Sequence, residues 1–292
     1  MREQGARIIK AGYRQRATGD SGYVRTVACS PLPVAFPRIM TLLQLSLINL
    51  ATASASAVNA LAGGGTLISF PALIAMGVPP IAANVTNAVA LCPGYFGATL
   101  AQRVNLQGQR ARLLVCVPAG ILGGLLGATI LLRTHERTFQ TLVPYMIFVA
   151  AVLLAIQDRV RAAVVRRLAK SAHAATSPLL AVIPVGLAGV YGGFFSAGMS
   201  VIVLAVLGAT LDDTLTRLNA LKQAVAFSVN VAAAVFFLFS DQVVWPAAGV
   251  MAAGALLGGA IGGRIAGRMR PEVLRWTVVV VGVLLAIYYW RK

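Results

Sequence analysis

The sequence predicts an all-α integral membrane protein made of two homologous, inverted halves, with about eight long transmembrane helices plus one short, broken helix in each half. Three observations predict this. Of the 292 residues, 58% are hydrophobic, only 11% are charged, and mean hydropathy is +0.81, a balance found in multi-spanning helical proteins rather than soluble domains. The 64 positions from Ile39 through Gln102 hold no Asp, Glu, Lys, Arg or His. Finally, landmarks recur in one order at offsets of 131 to 134: Val152–Ile156 as Val283–Ile287, Asn87-Ala88 as Asn219-Ala220, and Gly120, Gly124 and Ala128 as Gly254, Gly258 and Gly262.

Residues 1–38 stand apart, with seven Lys and Arg and with Pro31, Pro33 and Pro37 ahead of the first apolar run. They read as a disordered or mis-started basic extension, with Met1 or Met40 as the true start. Arg38, the run from Ile39 and the Ala-Ser repeats up to Ala57 imitate a cleaved signal peptide, but the apolar run continues into Gly63 instead of yielding to a soluble domain.

The first membrane repeat is expected over 39–157. As one helix, its uncharged run would extend roughly 96 Å against a bilayer core of about 30 Å. It must therefore enter the membrane more than once, broken at Gly63-Gly64-Gly65, Pro71 and Pro79-Pro80. Leu113–Leu132 and Thr138–Gln157 follow as single uncharged spans, and 158–177 forms a basic linker. The second repeat, 178–290, opens with 34 uncharged residues from Pro178 to Leu211, too long for one crossing, and predicts a long helix and a short one. Gln223–Ser240, Gln242–Gly263 and Trp276–Trp290 complete it, with Tyr288, Tyr289 and Trp290 at interface depth.

Loop charge orients the spans. Arg103, Arg110 and Arg112, the linker cations Arg159, Arg161, Arg166, Arg167 and Lys170, and Arg264, Arg268, Arg270 and Arg275 predict three cytoplasmic loops, whereas Asp241 marks an outer turn. The loop after the third element is thus basic in one half and acidic in the other, as inversion requires. A parallel arrangement of four spans per half is the alternative. The same loop placement explains the net charge of +17 without nucleic acid.

Cys29, Cys92 and Cys116 are dispersed, and His135 and His173 lie far apart, so neither set has metal-ligand or disulfide spacing. No nucleophile triad, phosphate-binding loop or metal cluster argues for an enzyme or a cofactor. Any uphill transport then needs an ion gradient, through a coupling ion, or a partner rather than bound ATP.

The residues singled out each carry two readings. Gly63, Gly64 and Gly65, and Gly192, Gly193 and Gly198 in the second half, either open a solute path at helix ends or permit close helix crossing. Gly120, Gly124, Gly254 and Gly258 read as packing residues. Lys222 either holds an oxyanion or snorkels to lipid phosphate. Thr86, Asn87 and Asn219 either bond solute or bridge helices, and Asn230, deeper in its span, suits interhelical bonding. Asp212 and Asp213, ahead of Arg217, suit capping and a surface ion pair.

Ala62–Leu73 with its glycine triple, Gly77-Val-Pro-Pro80, Asn84-Val-Thr-Asn-Ala88, Gly189-Val-Tyr-Gly-Gly193, Asn219-Ala-Leu-Lys222, Asn230 and Trp245 together resemble the signature of the TauE/SafE sulfite exporter family, over about Met40 to Trp290. One departure is Ser196-Ala-Gly-Met-Ser200, where the family more often has a second glycine-rich turn followed by proline. The resemblance implies a multi-pass transporter of the cell membrane moving sulfite, a sulfonate or another organosulfur anion, often outward. A midplane site would take backbone donors from the two glycine regions, positive charge from Lys222, and orienting bonds from Thr86, Asn87 and Asn219. Its partners would be a small anionic solute and the lipid bilayer. A passive anion channel and a non-transporting membrane scaffold are the rival readings.

Overall fold

The computed structural model describes residues 41–61, 64–170, 177–265 and 271–291. The basic extension 1–38, Gly63, Cys29 and His173 lie outside them. The described residues form ten α-helices: α1 (Leu42–Leu61), α2 (Thr66–Ala75), α3 (Pro80–Ala101), α4 (Arg110–Arg133), α5 (Glu136–Lys170), α6 (Val182–Phe194), α7 (Met199–Thr210), α8 (Leu215–Leu238), α9 (Trp245–Ile265) and α10 (Pro271–Trp290). Short 3-10 turns at Arg103–Leu106 and Pro178–Ala181 precede α4 and α6.

Among the described residues, three helices, α4, α5 and α8, are long and apolar enough to cross a membrane, and α1, α2, α6, α7, α9 and α10 supply shorter apolar stretches. The surface is apolar where a soluble protein would be polar: Leu42, Leu122, Leu187, Leu238 and Phe239 are exposed. Side chains of this kind suit a lipid surround, where helices also keep every backbone group bonded.

Local chemistry sets the boundaries. Gly77, at φ +85°, ends α2 in the left-handed conformation, and the bonds from Gly77 N to Ile74 O and Val78 N to Leu73 O close its last turn. Pro80 then opens α3 at the first-turn position, where a missing N–H costs nothing.

Two expectations are corrected. Pro178–Leu211 is not a long helix followed by a short one. It is two short helices of 13 and 12 residues, interrupted at Phe195–Gly198. The linker does not leave the helix at Asp158. Segment 158–170 contains neither Gly nor Pro and continues α5 to Lys170, with Val164 buried against Gly208 of α7 and Arg167 donating to the Gly208 carbonyl.

The packing interlocks the two sequence halves. α4 lies parallel to α6, so close that a methyl on Gly127 would collide with the Val190 carbonyl and one on Gly193 with the Gly124 carbonyl. α9 lies parallel to α1 in the same manner, with Gly254 over Asn49 and Gly258 over Ala53. Two other pairs run antiparallel. Along α3 and α8, Cys92 Sγ donates to Asn230 Oδ1 at 3.0 Å and Thr99 Oγ1 to Gln223 O at 3.3 Å. Along α5 and α10, the Tyr145 and Trp290 rings lie 5.4 Å apart and Ala151 Cβ packs over Gly282.

These pairs give the bundle two distinct ends. At one, Glu136 Oε1 accepts from Ile81 N at 3.3 Å. At the other, Asp213 joins Arg112 to Arg217.

Candidate functional site

The two helix interruptions meet. Gly64, at φ +89°, and Gly65, which caps α2, turn the chain into Thr66. Gly198, at φ +78°, caps α7. A side chain at such φ is strained, so glycine is the residue that allows each turn. Both glycines pack on one stretch of α5: a Cβ at Gly64 would stand 2.9 Å from Leu154 Cδ2, and one at Gly198 3.1 Å from Leu153 Cδ1. From opposite halves, the buried hydroxyls of Thr66 and Ser196 then approach to 3.4 Å, and the Phe70 and Phe195 rings pack edge to face at 5.3 Å. The starts of α2 and α7 therefore converge. The N–H groups of Leu67, Ile68, Met199 and Val201 already bond the Gly64, Gly65, Ser196 and Gly198 carbonyls, so what each start offers is chiefly the partial positive charge of its dipole, about half a unit. Two together, inside an apolar bundle, favour an anion.

Neighbouring helices fix the rim of this junction. Asn84 of α3 donates from Nδ2 to the Phe194 carbonyl at 2.8 Å, holding the end of α6. The Tyr191 hydroxyl donates to the Ala197 carbonyl at 2.7 Å across the break. One turn along the same face of α3 as Asn84 lies Asn87, fully buried, and neither its Oδ1 nor its Nδ2 has a partner among the described residues. Leaving such an amide unbonded costs about 1–3 kcal/mol, which a polar guest would recover. Thr86 faces another flank, where its hydroxyl accepts from Val244 N at 3.0 Å ahead of α9.

Of the remaining singled-out residues, Gly192 touches the start of α7 through Met199, and the others pack or bond elsewhere. Gly192 and Gly193 lie inside α6, where their N–H groups bond along the helix. Gly192 sits under the Met199 thioether and Gly193 on the α4 backbone, so both act in packing. Asn230 accepts from Cys92. Lys222, partly buried, adjoins Gln223 and therefore sits at the level of Thr99, twelve positions along α3 from Asn87, about 18 Å away. Asn219 lies one turn nearer the start of α8. Among the described residues Lys222 has no ion-pair partner.

Lys222 instead belongs to the Asp213 end. There Arg112 and Arg217 share Asp213 Oδ2, with Arg217 Nε at 2.9 Å, and Arg217 also reaches the Gln107 carbonyl. Burial pushes the Asp213 carboxyl up, but hydrogen bonds from Arg217, Thr214 N and Arg112 outweigh it and hold the group below its ordinary range. Arg112 was the partner that sequence reasoning missed. Thr66, Ser196 and Asn84 were missed as site residues too. The signal for the first two was present, because their separation of 130 residues nearly equals the duplication offset. Among the described residues no three His, Cys, Asp or Glu converge as metal ligands.

Comparison with known proteins bears on the chain as a whole. Residues 48–289 match the family described as sulfite exporter TauE/SafE. A probable membrane transporter protein of Haemophilus influenzae is 28% identical over 79% of this chain and 88% of its own length. Probable membrane transporter protein ORF9 of a Sinorhizobium species is 26% identical over 83% and 91%. Probable membrane transporter protein YfcA of Escherichia coli K12 is 23% identical over 78% and 83%. No solved structure matches significantly. With its apolar spans and a match over most of its length, the chain belongs to the TauE/SafE family and is a membrane transporter.

Proposed function

We propose that the chain exports a small oxyanion (sulfite, a sulfonate or another organosulfur anion) across the cell membrane by alternating access, and that it holds the anion where α2 and α7 begin. The observation that carries this is the Thr66–Ser196 contact at 3.4 Å, which brings two helix starts together near the unpartnered Asn87 amide. Asn87 offers the guest both a donor and an acceptor. Gly64, Gly65 and Gly198 let the backbone approach it closely. Lys222 meets the anion at the Asp213 end rather than at this junction.

The antiparallel pairs support an inverted repeat. A symmetry axis along the membrane normal leaves equivalent helices parallel, whereas an axis in the membrane plane turns them antiparallel. α3 and α8 occupy equivalent places in the two halves, as do α5 and α10, and both pairs are antiparallel. Arg103, Arg110, Arg112 and the α5 extension gather at the Asp213 end, which the positive-inside rule assigns to the cytoplasm. The bodies that rock are then not the two sequence halves. They are units built across them around α4 with α6 and α9 with α1.

The test is a flux screen of radiolabelled sulfite, sulfate, thiosulfate, taurine and sulfoacetate in proteoliposomes. The expected result is counterflow exchange of at least one of these anions. Flux without counterflow would make the protein a channel, and no movement of any of them would end the reading.

A further inference from the structure

At the Glu136 end a cavity of about 780 Å³ opens between the start of α5 and the end of α10, lined by Arg137, Gln140, Tyr145 and Trp290 and reaching Ile74 at the end of α2 and Pro80 at the start of α3. Its polarity changes along α5. Arg137, Gln140 and Thr141 are exposed in the first turns, and the same flank continues through exposed Tyr145, Phe148, Val149 and Val152. α10 runs antiparallel beside it and presents Trp290, Ile287, Leu284 and Val281, all exposed. From Gln140 to Val152 the seam spans about 18 Å, close to one leaflet of a ~30 Å core.

The cations here need an explanation. Arg133, His135, Arg137 and Arg291 are exposed at this end, whereas Glu136 is occupied by the Ile81 N–H and Arg137 has no acidic partner among the described residues. An apolar seam one leaflet long, closed at its polar end by an unpaired guanidinium and flanked by interface aromatics, matches one molecule that is itself charged at one end and apolar along the rest.

We propose that this groove binds an anionic phospholipid, its phosphate against Arg137 and Gln140 and one acyl chain along the α5–α10 seam. The tilted Tyr145–Trp290 pair, 5.4 Å between centroids, walls the groove where headgroup gives way to chain.

The test uses the full chain in nanodiscs of phosphatidylcholine with or without phosphatidylglycerol, read by native mass spectrometry and by thermal midpoint. One phosphatidylglycerol is expected to survive delipidation and raise the midpoint. Arg137→Gln should weaken its retention about fivefold, Arg137→Lys should keep most of it, and Tyr145→Ala with Trp290→Ala should weaken it through the chain. Three results would overturn the proposal: equal retention in all variants, equal retention of phosphatidylcholine, or an equal midpoint shift from inorganic phosphate or sulfite in discs of phosphatidylcholine alone. The last would assign Arg137 to a free anion.

Discussion

Thr66 and Ser196, 130 residues apart in sequence, place their hydroxyl oxygens 3.4 Å from each other in the buried centre of the bundle. Neither side chain belongs to a long helix. Each sits at an interruption, and the contact joins the two.

That contact gives the first prediction. If the starts of α2 and α7 separate during transport, a Thr66→Cys/Ser196→Cys pair should cross-link on oxidation and stop flux, with recovery on reduction. The single variants should keep transporting. Continued flux in the fully oxidised protein, quantified by thiol titration, would place the moving parts elsewhere.

Asn87 gives a prediction with opposite signs for stability and activity. Asn87→Leu removes an unbonded buried amide, so the thermal midpoint should hold or rise, by an amount equivalent to about 1–3 kcal/mol. Flux should collapse, since the guest loses its bonding partner. A fall in the midpoint would show that the amide serves the fold instead.

The glycines should fall into three grades in thermal unfolding. Gly77→Ala meets only backbone strain, because nothing lies within 4 Å of the added methyl, and should cost about 1–2 kcal/mol. Gly64→Ala and Gly198→Ala add pressure on Leu154 and Leu153 and should cost more. Gly193→Ala drives a methyl into the Gly124 carbonyl, and the α4–α6 pair has to part to admit it. If Gly193→Ala were the mildest of these, the α4–α6 contact would be looser than described.

Lys222→Ala should act from one side. With Lys222 about 18 Å from Asn87, its loss should raise the KM for anion offered at the Asp213 end and leave the KM from the other end unchanged. Right-side-out and inside-out vesicles separate the two, and equal effects would return the lysine to the central site.

Asp213 fixes an acid limit. Its folded carboxyl titrates below its unfolded value near 3.9, so the stabilisation is complete above that value and is lost as pH falls through the folded value. Wild type should therefore lose thermal stability on acidification below about pH 4. Asp213→Asn should start lower, with Arg112 and Arg217 stripped of their shared partner, and should lack this part of the acid slope.

The all-helical, apolar character and the helix breaks were legible in the sequence where small or polar residues punctuate apolar runs. The glycine triple marked the first break, and Gly192, Gly193 and Gly198 marked the neighbourhood of the second. Composition does not show which side of a helix a glycine faces, so Gly192 and Gly193, which seat Met199 and α4, carried the same signal as Gly64 and Gly198. Lys222 and Asn87 were grouped because both are polar residues in apolar helices. Only the antiparallel register of α3 against α8 reveals that they sit at different depths. The helical course of 158–170 was hidden because charge marks the end of a membrane span, whereas helix geometry needs a glycine, a proline or a cap to stop it.

The interlocked helices also set an order of assembly. Asn49 of α1 donates to the Val250 carbonyl and Ser56 to the Ala255 carbonyl, partners 201 and 199 residues further along the chain. During synthesis α1 must wait in the bilayer, its small-residue flank against lipid, until nearly the whole polypeptide has been inserted. A chain cut after the first half therefore yields an orphan that cannot mature, and quality-control proteases should find it through the uncovered flank of α1.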